Sequence, residues 1–327
     1  MVISQTPVRI SLSGGGTDFP DFYNNHEGLV ISTAIDKYIY VIIKPRFDND
    51  VTINYRSIAQ HVKSIHDIHH DFIREAALMT GMSEGFDIIT LSDVPTEGSG
   101  LGSSSSLIVG LLNAMSAYKG VHLNAEELAR MACELEINIL NKPIGEQDQY
   151  IASYGGFRSF NFKSSGITTK DLKHCINSHA FSRIENNLFL HFIPTNRDSN
   201  AILTEQKHNI PKNETALIHL FEGANNLFNI ITGKTFEPSH VGASLKVSWL
   251  IKKNLSTNIS NPTIDNMIQR AHKTGALGSK VAGAGGGGFL ISFVPEENQK
   301  IFIQYMSDYT ELPFKFEENG SRIIFNN

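Results

Sequence analysis

Residues 95–118 constrain this chain more than any other stretch. A glycine-rich turn, Gly98-Ser99-Gly100-Leu101-Gly102, feeds four consecutive serines, and those serines open a mostly apolar run that ends at Tyr118. A turn with three alternating glycines cannot be regular structure, and a helix that is apolar all round has to be buried. The first turn of such a helix has unpaired N–H groups and the positive end of the helix dipole, so it attracts an anion. Glycines let the backbone approach that anion closely, and hydroxyls can bond phosphate oxygens or ligate magnesium. Gly98, Gly100, Leu101, Gly102, Ser103, Ser104 and Ser105 are therefore candidate phosphate-binding residues. The segment has no lysine, so it is not a Walker A loop. The same residues also read as a flexible Gly/Ser loop with a serine cap.

Three further constellations stand out. In Thr6-Pro7-Val8-Arg9-Ile10-Ser11-Leu12-Ser13-Gly14-Gly15-Gly16-Thr17-Asp18, Arg9 falls in an alternating, strand-like segment. That puts a permanent cation beside whatever the glycines receive; a strand, a tight turn and a turn aspartate is the plainer alternative. In Pro143-Ile144-Gly145-Glu146-Gln147-Asp148-Gln149-Tyr150, polar residues lie between a helix and the apolar Ile151-Ala152. Glu136, on that helix, borders the apolar face set by Ala132, Leu135 and Ile139, where a carboxylate needs a cation or a donor. It also reads as a solvated surface carboxylate. Residues 283–288 include five glycines between two strand-like segments, which allows close approach by a ligand or another loop.

Around these, the pattern alternates strands and helices. Residues 29–31, 38–43, 86–91, 157–162, 188–193, 289–293 and 321–325 read as strands. Helices read at 66–80, 103–118, 214–231, 244–253, 263–274 and 297–306, and at 125–139 after an Asn124 cap with Glu127 completing a capping box. Alternation alone says α+β or α/β. His66, His69 and His70 have helical spacing and read as a solvated face; Trp249 reads as core.

At 327 residues the chain is long enough for about two domains. A net charge of −5 and the absence of an arginine-rich stripe argue against a nucleic-acid partner. The two cysteines, Cys133 and Cys175, sit in no CxxC pair and read as reduced thiols. Met1 leads directly into Val2-Ile3-Ser4-Gln5-Thr6-Pro7 with no basic-then-apolar start, and no apolar run is long enough to cross a bilayer. A cytoplasmic protein with no membrane partner is expected.

Taken in order, the four motifs resemble the GHMP kinase superfamily, which includes galactokinase and mevalonate kinase. Arg9 with Thr17-Asp18 is similar to that family's substrate loop, although Gly14-Gly15-Gly16 departs from the Gly-Glu-His usual in galactokinases. The form of the first and third motifs, with Tyr154-Gly155-Gly156, looks most like the D-glycero-D-manno-heptose 7-phosphate kinases; related fucokinase-like enzymes share much of it. The resemblance implies an α+β, two-domain fold: an N-terminal domain (1–170) like the second domain of ribosomal protein S5, and a ferredoxin-like C-terminal domain (171–327). It implies ATP and magnesium as cofactors and a small-molecule sugar phosphate as partner. By the same resemblance, Asp148 accepts the acceptor's proton or orients its hydroxyl, and Arg9 counters developing charge. Gly14, Gly15, Gly16, Thr17 and Asp18 bind substrate, and Ser104 and Glu136 hold the metal. Gly285, Gly286 and Gly287 belong to the cofactor site, where the glycine tract lets the C-terminal half close on the phosphate loop. Arg197 is a candidate for the substrate's own phosphate.

Overall fold

The computed structural model describes residues 1–95, 98–194, 199–234 and 236–327. The chain opens with β1 (Val2–Ser13), in which Val8, Ile10 and Leu12 are fully buried in the core while Arg9, Ser11 and Ser13 alternate onto the opposite face. A one-turn helix, α1 (Pro20–Tyr23), leads into β2 (Gly28–Pro45). The two strands expected at 29–31 and 38–43 are thus one. The polar residues Ser32, Thr33, Asp36 and Lys37 interrupt the apolar pattern. The pairing with β1 nevertheless runs on, skipping Asp36 and Lys37 as a bulge where Pro7↔Tyr38 gives way to Val8↔Ile35.

Next come the hairpin β3 (Val51–Tyr55) and β4 (Ile58–Val62), α2 (Asp71–Thr80) and β5 (Phe86–Ser92). The helix expected from residue 66 starts at Asp71, because Ile68 is extended and only a 3₁₀ turn, Ile65–Asp67, precedes it. His66, His69 and His70 therefore share no helix face, and His70 instead meets the rings of Tyr55 and Phe72 edge-on. Gly81, left-handed at φ 68°, ends α2.

The buried helix is α3 (Ser103–Tyr118), as the sequence predicts. The Asn124–Glu127 capping box starts α4 (Ala125–Cys133), which continues as a π-helix over Glu134–Ile139. The short α5 (Gln147–Tyr154) and the hairpin of β6 (Phe157–Lys163) and β7 (Gly166–Asp171) follow. Beyond them lie α6 (Ser178–Asn187), β8 (Leu188–Ile193), α7 (Ser199–His208), α8 (Glu214–Thr232), α9 (Ser239–Lys252) and α10 (Pro262–Lys273). The chain closes with β9 (Gly278–Val281), β10 (Gly288–Phe293), α11 (Glu296–Met306) and β11 (Arg322–Asn326).

Among the described residues there are two sheets. The larger runs β11-β1-β2-β5-β3-β4, with β6 pairing the other end of the long β2 and β7 pairing β6; the smaller is antiparallel, β8-β10-β9. α3 lies against β1 and β2, and α9 bridges β9 and β1. One apolar cluster joins the large sheet to α3; a second, including Trp249, lies beneath the small sheet. After α11 the chain returns across the large sheet: Asp36 N–H bonds Lys315 O (2.9 Å), Gly156 N–H bonds Glu317 O (2.9 Å), and Ser321 N–H bonds Ala152 O (2.8 Å). A Cβ on Gly320 would sit 1.9 Å from Ser153 O, so this strap touches the end of α5 backbone to backbone. Cys133 and Cys175 are free thiols.

Candidate active site

The three turn glycines all take positive φ, Gly98 at 71°, Gly100 at 74° and Gly102 at 76°, and Gly102 caps α3. This left-handed zigzag is why the segment needs glycine at every second place. It turns the first N–H groups of α3 toward a cleft of about 700 Å³ whose walls include Ser103, Ser104, Ser105, Glu136, Asp148 and Arg9. The loop is held from beneath: Arg9 N–H bonds Leu101 O at 2.9 Å and the Ser106 hydroxyl bonds Pro7 O at 2.8 Å.

Asp148 occupies the first turn of α5 and meets Arg9 in a two-pronged pair, with Nε to Oδ1 at 2.7 Å and Nη2 to Oδ2 at 2.6 Å. The Arg9 side chain is 5 % exposed and that of Asp148 is 21 %, so the carboxylate faces the cleft while its partner supports it from below. Arg9 also donates to Gly100 O. One arginine therefore fixes both the glycine–serine loop and the acid, and a Cβ on Gly102 would lie only 3.2 Å from Asp148 Oδ2.

Glu136 is 2 % exposed. Burial pushes its carboxyl up to about 7, against the pull of hydrogen bonds from Ser105 and Gln149. Gln149, on α5, donates to Glu136 Oε2 at 2.7 Å. A buried acid between a serine-lined anion site and a second carboxylate has the oxygen-donor chemistry of a magnesium site. Among the described residues no cluster of three or more His, Cys, Asp or Glu could hold an ion without further ligands.

The loop of Gly14, Gly15 and Gly16 lies against the start of α5. Thr17 closes it, its hydroxyl bonding Gly14 O at 2.8 Å and accepting Leu29 N–H at 3.1 Å. Asp18 is 2 % exposed and is occupied by backbone: Gly16 N–H reaches Oδ1 at 2.9 Å and Gln147 N–H reaches Oδ2 at 3.3 Å. Burial pushes its carboxyl up and Gly16 pulls it back. In this structure Asp18 ties the loop to the start of α5. Gly15 faces Ser11 Oγ and the Gln147 side chain, and Gly16 faces Gln206 of α7. Gln147 Oε1 and Ser11 Oγ are buried without a partner here.

In the tract of residues 283–288, Gly283 and Gly288 abut the glycine–serine loop, where added Cβ atoms would meet Gly100 Cα at 2.6 Å and Ser99 O at 2.4 Å. Gly283 and Ala284 line the cleft. Gly285 and Gly286 turn instead toward Ile259, whose carbonyl accepts Gly286 N–H at 2.7 Å. Arg197 lies outside the described residues.

The GHMP kinases N terminal domain matches residues 63–156, and the GHMP kinases C terminal domain matches 239–311. D-glycero-alpha-D-manno-heptose 7-phosphate kinase of Campylobacter jejuni subsp. jejuni is 30 % identical over 312 residues, 89 % of this chain and 88 % of that one. The chain belongs to the GHMP kinases. It is a phosphotransferase with an alcohol group as acceptor, and its fold is the α+β, two-domain fold of that family. The L-fucokinase/L-fucose-1-P guanylyltransferase of Bacteroides fragilis is 26 % identical over 89 % of this chain, which spans 34 % of that longer protein. Among solved structures, a D-glycero-D-manno-heptose 1-phosphate kinase from Bacteroides thetaiotaomicron superposes over 100 % of both chains with a TM-score of 0.81 at 22 % identity. Lactococcus lactis galactokinase complexed with galactose gives 0.76 at 16 % identity over 98 % of this chain and 94 % of its own.

Several residues of this GHMP kinase escaped sequence reasoning. Tyr55, Ile58, Phe72 and Leu107 bring apolar side chains to the cleft beside Arg56 and Thr90, and Arg56, Thr90 and Leu107 also line a second cavity of about 500 Å³ with Ile39, Leu91 and Val94. No local pattern marks them, because they come from separate strands and helices. Lys252 of α9 donates to Gly283 O, and Lys280 of β9 is 2 % exposed. Burial, with Lys252 and Arg9 close by, holds the Lys280 ammonium well below the ordinary lysine range. A lysine three residues before Gly283 was the available signal. No helix among the described residues is long and apolar enough to cross a membrane.

Proposed function

We propose that this GHMP kinase is an ATP- and magnesium-dependent sugar kinase that phosphorylates the anomeric hydroxyl of D-glycero-D-manno-heptose 7-phosphate, giving the 1,7-bisphosphate. The observation that carries the reading is the Arg9–Asp148 pair, at 2.6 and 2.7 Å, beside the glycine–serine loop. Phosphoryl transfer needs charge neutralisation and in-line placement more than covalent chemistry. The loop residues 98–105 would hold the nucleotide's phosphates. Tyr55, Ile58 and Leu107 would receive its base. Ser104 and Glu136 would hold magnesium, which when bound neutralises charge on the phosphates. Asp148 takes the acceptor's proton; an anomeric hydroxyl is more acidic than an ordinary alcohol, so a weak base suffices. Thr17 and the Gly14–Gly16 loop shape the acceptor side, and Asp18 fixes that loop against α5. Residues 1–170 and 171–327 form the two domains, with residues 312–327 crossing back onto the first. The enzyme would work in the cytoplasm.

The heptose reading rests on the form of the motifs and on the 30 % identical relative. The names of the heptose kinases from Campylobacter and Bacteroides differ in the position of the acceptor's phosphate. The fucokinase relative, matching 89 % of this chain, makes L-fucose the second candidate.

The test is a coupled ADP-release assay over D-glycero-D-manno-heptose 7-phosphate, its 1-phosphate isomer, unphosphorylated heptose, L-fucose, galactose and mevalonate. The 7-phosphate should have the highest kcat/KM, and unphosphorylated heptose should lose a large factor because a remote phosphate helps position the sugar. Equal kcat/KM for heptose and its 7-phosphate, or a higher value for L-fucose, would refute the acceptor and leave the kinase.

A further inference from the structure

We propose that Lys142 is a catalytic residue of this kinase, its side-chain nitrogen binding a terminal-phosphoryl oxygen of the nucleotide as that group is transferred. The proposal rests on the reading that the donor is a nucleoside triphosphate in the 700 Å³ cleft.

After α4 the helix widens into a π-turn over Glu134–Ile139, a form found mostly at functional sites. Asn141 then takes φ 51°, one of two non-glycine residues with positive φ among those described. Such a conformation is costly for a residue with a side chain and persists where the surroundings hold it. Lys142 N–H bonds back to Glu136 O at 3.0 Å, so the chain folds over on itself within six residues. These features together bring Lys142 to the wall of the cleft that also presents Ser103–Ser105, Glu136 and Asp148.

The side chain has no anion of its own there. Its Nζ lies 5.5 Å above the Phe72 ring, and no carboxylate among the described residues lies within ion-pair distance. Glu136 is near enough to feel its charge but is already held by Ser105 and Gln149. Of the arginines lining the cleft, Arg9 is committed to Asp148 and Gly100 O, and Arg56 comes from the β3–β4 hairpin on the side of Tyr55 and Ile58. Lys142 is therefore a cation on the phosphate cleft without a carboxylate partner, resting on an aromatic face that orients it without neutralising it.

In the transfer, the acceptor's oxygen bonds to the terminal phosphorus and its proton passes to Asp148. The bond from that phosphorus to the bridging oxygen breaks, and its electron pair leaves with the nucleoside diphosphate. Charge is spread over the equatorial oxygens of the group in flight, where a lysine can stabilise it.

The test uses the full chain. Affinities for a non-hydrolysable ATP analogue and for AMP are measured by calorimetry with magnesium, alongside turnover with whichever acceptor the wild type uses. In Lys142→Met, analogue affinity should fall about 10-fold or more while AMP affinity stays within about 2-fold, and kcat should fall about 30-fold or more. Lys142→Arg should recover most of the lost kcat. Equal losses for the analogue and AMP would overturn the proposal, since Lys142 would then shape the base end through Phe72. Turnover of Lys142→Met within about 3-fold of wild type would overturn it as well. A wild type that binds the analogue no better than AMP would sink the donor reading itself.

Discussion

Gly102→Ala tests whether one residue both bends the phosphate loop and leaves room for Asp148. Gly102 has φ 76°, a left-handed conformation that costs an L-residue about 1–2 kcal/mol. Its added Cβ would lie 3.2 Å from Asp148 Oδ2, 3.3 Å from Arg9 Cγ and 3.4 Å from Asp148 Cγ. Ordinary carbon contacts lie at about 3.5–4.0 Å, so the acid has to retreat by roughly 0.4 Å. It retreats against a pair whose bonds are already 2.6 and 2.7 Å long. Misplacing a reacting group by about 1 Å can cost 10²-fold, so kcat should fall about 10-fold or more. The control lies at the far end of the same helix. Gly120 has φ 79° with nothing within 4 Å of a Cβ, so Gly120→Ala carries the backbone strain alone. Both variants should lose about 1–2 kcal/mol in urea unfolding, and only Gly102→Ala should lose activity in the ADP-release assay. If Gly102→Ala kept kcat within about 2-fold of Gly120→Ala, the steric coupling between loop and acid would be wrong.

Asp148→Asn should fold normally and lose about 10²-fold or more in kcat, read by the same assay; near wild-type turnover would remove Asp148 as the base. Ser104→Ala and Glu136→Gln should each shift the activity curve against free magnesium to higher concentration, and unchanged curves in both would take them out of the metal site. Glu146 provides a pH test, since burial, opposed by the Tyr23 hydroxyl at 3.0 Å, pushes its carboxyl up to about 7. Its folded-state value exceeds the unfolded value of 4.5, so the folded form binds the proton more tightly and stability from this group is lost as pH rises from 4.5 through 7. Glu146→Gln, neutral throughout, should match wild type below pH 4.5 and gain up to about 3 kcal/mol above pH 7 in urea unfolding; a pH-independent difference would refute that account.

The helices and strands carried by apolar period were legible in the sequence. α3 was readable to its end residues because Gly102 and the serines mark its start and its apolar run has no polar face. The Asn124–Glu127 box was readable because both partners are local. α5 was not, because its buried residues include Gln147, whose backbone N–H meets Asp18 from the start of the chain, and Gln149, whose side chain meets Glu136 on the preceding helix. β3 and β4 were passed over because Asn54, Arg56, Ser57 and Gln60 dilute a short pattern. Within the site, residues in compact motifs were found, and Arg9, Asp148 and Glu136 do converge on one cleft. Lys142, Lys280 and the apolar side chains of the cleft were missed because each is defined by what faces it across the fold.

The strap that returns from α11 has a consequence for how the protein is made. β1 pairs on one side with β2, within the first 45 residues, and on the other with β11, where Val2 is opposite Asn326. The edge of the large sheet beside β1 therefore stays open until nearly the whole described chain has left the ribosome. Until then the exposed side of β1 is an unpaired strand edge, the kind of surface that recruits other chains. Ala152 and Gly156, on either side of the end of α5, also wait for backbone partners at Ser321 and Glu317. Helix α5 is thus encoded before the middle of the sequence but reaches its final support last, so an N-terminal fragment would carry the motif residues without the scaffold that aligns them.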